Sequence, residues 1–217
     1  MNHFVFPKWT NALLPVIGAV VAITPIYVVG LVWFGASPRT TDVGYAPEQI
    51  VPFSHRLHAG ELGIDCRYCH NTVELAAHAA IPPTQTCMGC HSAIHPESPK
   101  LAEVRRSFVS GEPVEWTRVH DLPDYAYFDH SAHVTRGVSC VSCHGRVDKM
   151  EVVYQHERLS MGWCLECHRE PEKHIRDPKH VFDLAWKPAD TTQIDLGREL
   201  RELNRINPST DCSACHR

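Results

Sequence analysis

Phe53-Ser54-His55-Arg56-Leu57-His58 is followed by Gly63-Ile64-Asp65-Cys66-Arg67-Tyr68-Cys69-His70. The arrangement returns as Phe128-Asp129-His130-Ser131-Ala132-His133, followed by Gly137-Val138-Ser139-Cys140-Val141-Ser142-Cys143-His144. The Phe-x-His-x-x-His elements are offset by 75 positions and the Cys-x-x-Cys-His motifs by 74. Each is trailed by a second such motif, at Cys87/Cys90/His91 and Cys164/Cys167/His168, offset by 77. The residues after the leading motifs also agree, Val73-Glu74 against Val147-Asp148. A fifth motif, Cys212/Cys215/His216, lacks a Phe-x-His-x-x-His of its own. Intervals between successive motifs run 21, 53, 24 and 48, the short-long alternation that a duplicated two-motif unit leaves.

The five motifs consume all ten cysteines. Cys-x-x-Cys-His is the attachment signature of a c-type haem: two thiols add across the porphyrin vinyl groups and the adjacent histidine ligates the iron. A zinc site would not require His after every pair, and a disulfide framework would not fix every spacing at two. The sequence therefore implies five covalently bound haem c groups. The covalent residues are Cys66, Cys69, Cys87, Cys90, Cys140, Cys143, Cys164, Cys167, Cys212 and Cys215, and the proximal ligands are His70, His91, His144, His168 and His216.

The chain holds sixteen histidines, more than enough for the opposite faces of the irons. His55 and His58, like His130 and His133, are spaced i, i+3, so both rings share one face of a helical turn and can reach two different irons. These four are the expected distal ligands. The fifth distal ligand is left open among His120, Met150 and Met161, with methionine at such places also serving as simple packing. His78, His95, His156, His174 and His180 read as surface residues. No catalytic residue is expected.

Composition separates the ends of the chain. Ala12–Gly35, ALLPVIGAVVAITPIYVVGLVWFG, carries no charge over twenty-four positions. As a helix at ~1.5 Å per residue it exceeds a hydrocarbon core of ~30 Å. Trp9, Trp33 and Phe34 stand near its ends, as interfacial aromatics do, and Pro25 is expected to kink it. The run is longer than the 7–15-residue apolar core typical of a cleaved secretory signal, so it reads as a retained anchor. Lys8 and Arg39 balance one another and give no orientation. Attachment of c-type haem on the outer face of the bacterial inner membrane does: the N-terminus is cytoplasmic and the haem domain periplasmic. Net charge of −4 and a pI near 6.4 give no basic footprint, so nucleic acid is not an expected partner.

The expected organisation is a cytoplasmic N-terminus at 1–11, a single transmembrane helix at 12–35 and a turn-rich tether at 36–50. A first dihaem unit and connector follow at 51–127, a second dihaem unit at 128–190, and a C-terminal helix with the fifth haem at 191–217. The connector 92–127 holds Pro96, Pro99, Pro113 and Pro123 and should be irregular with short helical pieces. Ile194, Leu196, Leu200, Leu203 and Ile206, with Thr191 or Thr192 as cap and Pro208 beyond, predict an amphipathic helix covering the fifth haem. Roughly 36 residues per haem cannot build an ordinary core, so porphyrin takes that role. The fold class is mainly α and irregular, with little or no sheet.

The Phe-x-His-x-x-His elements resemble those of the small multihaem class III cytochromes, where such an element supplies distal ligands to two haems, and imply class III-like haem packing. FSHRLHAGELGIDCRYCH, IPPTQTCMGCH, RVHDLPDYAYFDHSAHV and LSMGWCLECHR resemble the pentahaem subunit of bacterial alternative complex III, a quinol:electron-acceptor oxidoreductase. That resemblance spans nearly the whole chain. It implies an electron-transfer subunit rather than an independent enzyme, with electrons passing from iron–sulfur clusters toward a monohaem cytochrome or a terminal oxidase. The implied partners are an iron–sulfur subunit, a monohaem cytochrome c subunit and integral-membrane quinol-binding subunits. The chain also resembles the membrane-anchored tetrahaem quinol dehydrogenases, in which the cytochrome meets quinol directly. A multihaem reductase with an open haem site is a further alternative. The Cys-x-x-Cys-Lys typical of pentahaem nitrite reductases is absent, and histidine after every motif favours six-coordinate, electron-conducting irons.

Overall fold

The computed structural model describes residues 6–35 and 42–216. Residues 1–5 of the expected N-terminal segment, 36–41 of the expected tether, and 217 lie outside the described residues. The chain forms two compact units, Met1–Asp42 and Val43–Arg217.

In the first unit a 3-10 turn, Lys8–Ala12, leads into α1, Leu13–Gly35, which continues through Pro25. The apolar segment Lys8–Gly35 has a mean hydropathy of 2.3 and none of it is buried. At ~1.5 Å per residue, α1 is long enough to cross a ~30 Å hydrocarbon layer. A helix apolar all round and exposed along its length suits lipid rather than water, so it is a candidate membrane anchor.

In the second unit the helices are short: α2 Cys66–Cys69, α3 Thr84–His91, α4 Ala102–Ser110, α5 His130–Val134, α6 Val141–His144, α7 Met161–Arg169, α8 Gln193–Leu203 and α9 Cys212–Cys215. Among the described residues there is no strand, only the isolated antiparallel bridges Ala126–His216 and Val138–Ile175. Local chemistry starts the helices. The Asp65 carboxylate accepts the Arg67 N–H at 2.8 Å to open α2, Asp129 accepts the Ala132 N–H at 3.2 Å to open α5, and Ser160 and Thr192 cap α7 and α8.

The polypeptide core is thin. Val73, Val134 and Val181 form one buried cluster with Ala79 and Phe182 against it; Ile175, Leu200 and Ile206 form another with Val138 and Leu196. Buried residues this small and few cannot hold a unit of this length together without another apolar component, as the haem-rich sequence implies.

The connector is irregular apart from a 3-10 turn at Pro99–Leu101 and α4, whose Val104 and Ser107 are buried and which ends at Gly111 in the left-handed conformation. Helix α8 begins where predicted, with Thr192 as cap, but its apolar stripe is narrower than the sequence suggests. Leu196 and Leu200 face the core cluster, whereas Ile194 and Leu203 are exposed. The helix lies on the turn Pro171–Lys173: Gly197 comes so close that a Cβ there would sit 2.0 Å from the Glu172 carbonyl oxygen. Arg201 Nη1 meets Glu172 Oε2 at 2.8 Å across the same contact.

The two repeats are not independent bodies. The turn Arg56–Glu61, which holds His58 and is preceded by His55 as its N-cap, is braced by residues following the third motif. The Arg56 N–H donates to the Met150 carbonyl at 3.0 Å, Ser54 Oγ donates to Glu151 Oε2 at 2.8 Å, and Gly60 passes over the Asp148 carbonyl. Reciprocally, the His130 and Ser131 N–H groups donate to the carbonyls of Ala77 and Ala76, just past the first motif.

Candidate haem-binding site

Each Cys-x-x-Cys-His motif lies on a short helical turn that places its two cysteines one turn apart with the histidine directly after. All ten thiols are free. Burial pushes up the thiols of Cys66, Cys69, Cys87 and Cys164, and pushes Cys143 to about 12 and Cys140 and Cys167 to about 11. These seven are therefore neutral thiols at neutral pH.

Four of the five motif histidines meet the four predicted distal histidines in one-to-one pairs. The ring centroids of His55 and His70 are 6.5 Å apart with planes 2° from parallel; His130 and His144 are 6.3 Å apart at 12°. His58 faces His91 at 6.1 Å and His133 faces His168 at 6.1 Å. Direct ring stacking would be much closer. Two imidazoles on opposite sides of one metal ion, with metal–nitrogen bonds of ~2 Å and ring centres ~1.1 Å behind the nitrogens, stand about 6.3 Å apart. The spacing fits an iron between each pair. In each element the first histidine faces the unit's leading motif, and the second faces the trailing one.

Hydrogen bonds point the rings the right way. Nδ1 of His70 donates to the Ala80 carbonyl at 2.7 Å, His91 to Ile94 at 2.9 Å, His168 to Ser209 at 2.6 Å and His216 to Tyr125 at 3.1 Å. On the distal side His58 donates to Ser54 at 2.9 Å, His130 to Ala77 at 2.8 Å and His133 to Asp129 at 2.7 Å. A carbonyl can only accept, so the proton sits on Nδ1 and the lone pair on Nε2 remains for a metal. Burial, followed by neighbouring histidines, lowers the pKa of His144 to about 3 and of His55 to about 4, keeping both rings neutral. The donor set fits covalently held haem.

The phenylalanine of each repeat has a role that its sequence position did not disclose. Phe53 meets His55 edge-on at 4.8 Å and lies against His58 at 4.5 Å; Phe128 does the same to His130 at 4.8 Å and His133 at 4.4 Å. One aromatic ring thus fixes two imidazoles in each element. A residue two positions before the first histidine was the only available signal.

The fifth motif differs. The segment 125–127 straps it: Tyr127 N–H donates to the Cys215 carbonyl at 2.7 Å and Ala126 bridges His216. The aromatic ring near His216 is Tyr125, at 5.8 Å, and no histidine ring faces His216 among the described residues. His120, one of the three candidates for that iron, lies elsewhere: its ring packs 4.3 Å from that of His144. Met150 is buried beside Arg56, and Met161 is 65 % exposed at the start of α7, one turn before Cys164. His180 stacks on Trp186, and His156 packs over Gly145. His78 and His95 are exposed and His174 is half-buried.

The motifs also have a spatial order. Cysteines of different motifs come close enough to influence one another electrostatically between Cys69 and Cys87, Cys66 and Cys140, Cys143 and Cys167, and Cys164 and Cys215. The second, first, third, fourth and fifth motifs therefore follow one another. Cys90 and Cys212, at the two ends, are exposed, whereas the central thiols are not.

Residues 126–217 match the family described as cytochrome c7 and related cytochrome c. Over 176 residues the chain is 30% identical to the menaquinone reductase multihaem cytochrome c subunit of Nitratidesulfovibrio vulgaris, covering 78% of this chain and 77% of that protein.

Proposed function

Given that the chain belongs to the multihaem c-type cytochromes and binds haem c covalently, we propose that it is a five-haem electron conduit within a membrane quinone-linked oxidoreductase. The four facing histidine pairs carry this reading. Bound haem supplies one-electron ferric–ferrous chemistry, and two imidazoles per iron close the site to substrate. The protein's own work is placement: paired thiols fix each group, Nδ1 hydrogen bonds aim each ring, and adjoining motifs make a line with exposed ends.

The covalent and ligand residues are the ten cysteines, the five motif histidines, and His55, His58, His130 and His133. Met161 is the sixth ligand of the fifth iron: it lies one turn before Cys164, whose thiol neighbours Cys215, and its side chain is free of packing. Met150, already buried against the first distal turn, is a packing residue.

The chain is anchored by α1 with its N-terminus cytoplasmic and its haems periplasmic. Segments 51–127 and 128–190 are the two dihaem units, and 191–217 holds the fifth haem. Electrons leave quinol in integral-membrane subunits and pass through an iron–sulfur subunit to this chain, then toward a monohaem cytochrome c subunit or a terminal oxidase. Resemblance to the pentahaem subunit of alternative complex III supports that direction. The homologue's membership of a menaquinone reductase supports the quinone link.

Haem quantitation on the purified chain should return five per polypeptide, all low-spin. A reduced quinol analogue should reduce them quickly only when the partner subunits are present. Rapid reduction of the isolated chain would instead establish a direct quinol dehydrogenase, and fewer than five haems would overturn the assignment.

A further inference from the structure

The duplication provides an internal comparison. His55/His70 and His130/His144 are equivalent pairs, at 6.5 and 6.3 Å, each with planes within 12° of parallel. Behind the rings the two sites differ. His70 Nδ1 donates to the backbone carbonyl of Ala80, but His144 Nδ1 lies 3.3 Å from Nε2 of His120. On the distal side His130 has the Ala77 carbonyl, whereas buried Nδ1 of His55 has no hydrogen-bond partner.

We propose that His120 is a positioning residue for the third motif, accepting the Nδ1 proton of His144 and thereby setting the electron density that this ring offers its iron. The inference rests on the five-haem reading given above. If Nε2 of His144 ligates, its proton must sit on Nδ1, so His144 donates and Nε2 of His120 accepts. The rings meet edge-on, 77° between planes with centroids 4.3 Å apart, and Nε2 of His120 is the acceptor within reach of that N–H, at 3.3 Å. His120 is half-buried against His144, which shields the contact from competing water.

Seven other ligand histidines give Nδ1 to a backbone carbonyl, whose acceptor strength no side-chain change can tune. At His144 the acceptor is a basic nitrogen. It draws the proton away from the ring, makes the ligand more electron-rich and favours ferric iron. With His130 also paired and His55 unpaired, both ligands of the third iron donate more strongly than at least one of the first. Two sites with the same repeat geometry therefore differ in potential, the third being lower. The third motif lies centrally in the spatial order of the five. A low potential there keeps electrons from residing midway.

The test is a resolved redox titration of the full chain, with haem count and spin state, for wild type, His120→Phe and His120→Gln. Phe removes the acceptor; Gln keeps a carbonyl that can replace it. We expect His120→Phe to retain five low-spin haems and raise one midpoint, with a shift of roughly tenfold in that iron's ferric–ferrous ratio, ~59 mV for one electron. His120→Gln should return that midpoint most of the way. Unchanged midpoints in both variants would overturn the proposal. So would one haem turning high-spin, which would make His120 an iron ligand. Loss of a haem in both variants would also overturn it. A wild-type count below five is a separate outcome that sinks the five-haem reading itself.

Discussion

Phe128 lies against His133, ring centres 4.4 Å apart and planes 27° from parallel, while its edge meets His130. The pairing repeats at Phe53, His58 and His55 with nearly the same distances. A single ring orienting two imidazoles explains why the element needs an aromatic residue at its head rather than any apolar one.

Replacing Phe128 by Ala should loosen both rings together. Loss of the two aromatic contacts should cost about 1–2 kcal/mol. The low-spin EPR signals of the third and fourth haems should broaden while those of the first two stay sharp. Phe128→Tyr should restore them, since the ring face is kept. Broadening confined to one haem would count against the shared support.

Met161→Ala should abolish the near-infrared methionine-to-iron charge-transfer band and turn one haem high-spin. Met150→Ala should leave the band in place and lower thermal stability instead, by about 2–4 kcal/mol for a buried methionine. A band that survives Met161→Ala returns the fifth ligand to the other candidates.

Gly137 adopts φ +87°, and a Cβ there would stand 2.1 Å from the Arg176 carbonyl oxygen. It leads into the bridge from Val138 to Ile175, which joins the third motif to the region after the fourth. Gly137→Ala should therefore destabilise by more than ~2 kcal/mol, from clash and backbone strain together. Gly63→Ala, with φ +66° but open space around it, should cost less. Calorimetry of the two variants provides the comparison.

A hydrogen bond from Arg67 holds the Asp65 carboxyl below its ordinary pKa. Its contribution is thus complete above the unfolded value, ~3.9, and is lost as pH falls through the lower folded value. Asp65→Asn keeps the helix cap but loses the ion pair. It should be less stable than wild type at pH 7, by no more than ~1 kcal/mol at this exposed site. The gap should close in acid, as denaturant titrations at pH 7 and pH 3 would show.

The motifs, the N-terminal apolar helix and the Thr192 cap could be read from the sequence because each is local: fixed spacing, an unbroken apolar run, one capping side chain. The pairing of particular histidines could not. An i, i+3 spacing puts two rings on one face but leaves open which opposing ring each meets. The place of His120 was hidden for a different reason. Its partner lies twenty-four positions on, and a histidine behind a ligand and a histidine on an iron look alike in one dimension. Leu203 and Ile194 fit the apolar period of α8 yet are exposed, because the turn it rests on, Pro171–Lys173, is narrower than the stripe.

The reciprocal bracing of the two repeats bears on how the molecule is made. The turn bearing His55 and His58 is pinned by Met150 and Glu151, which are synthesised some ninety residues later. The first two attachment motifs thus emerge before their distal rings have a fixed seat, leaving the nascent segment pliable enough for the maturation machinery to handle. Tightening comes only when the second repeat arrives, so a chain stalled before Met150 would carry haems without being able to close around them.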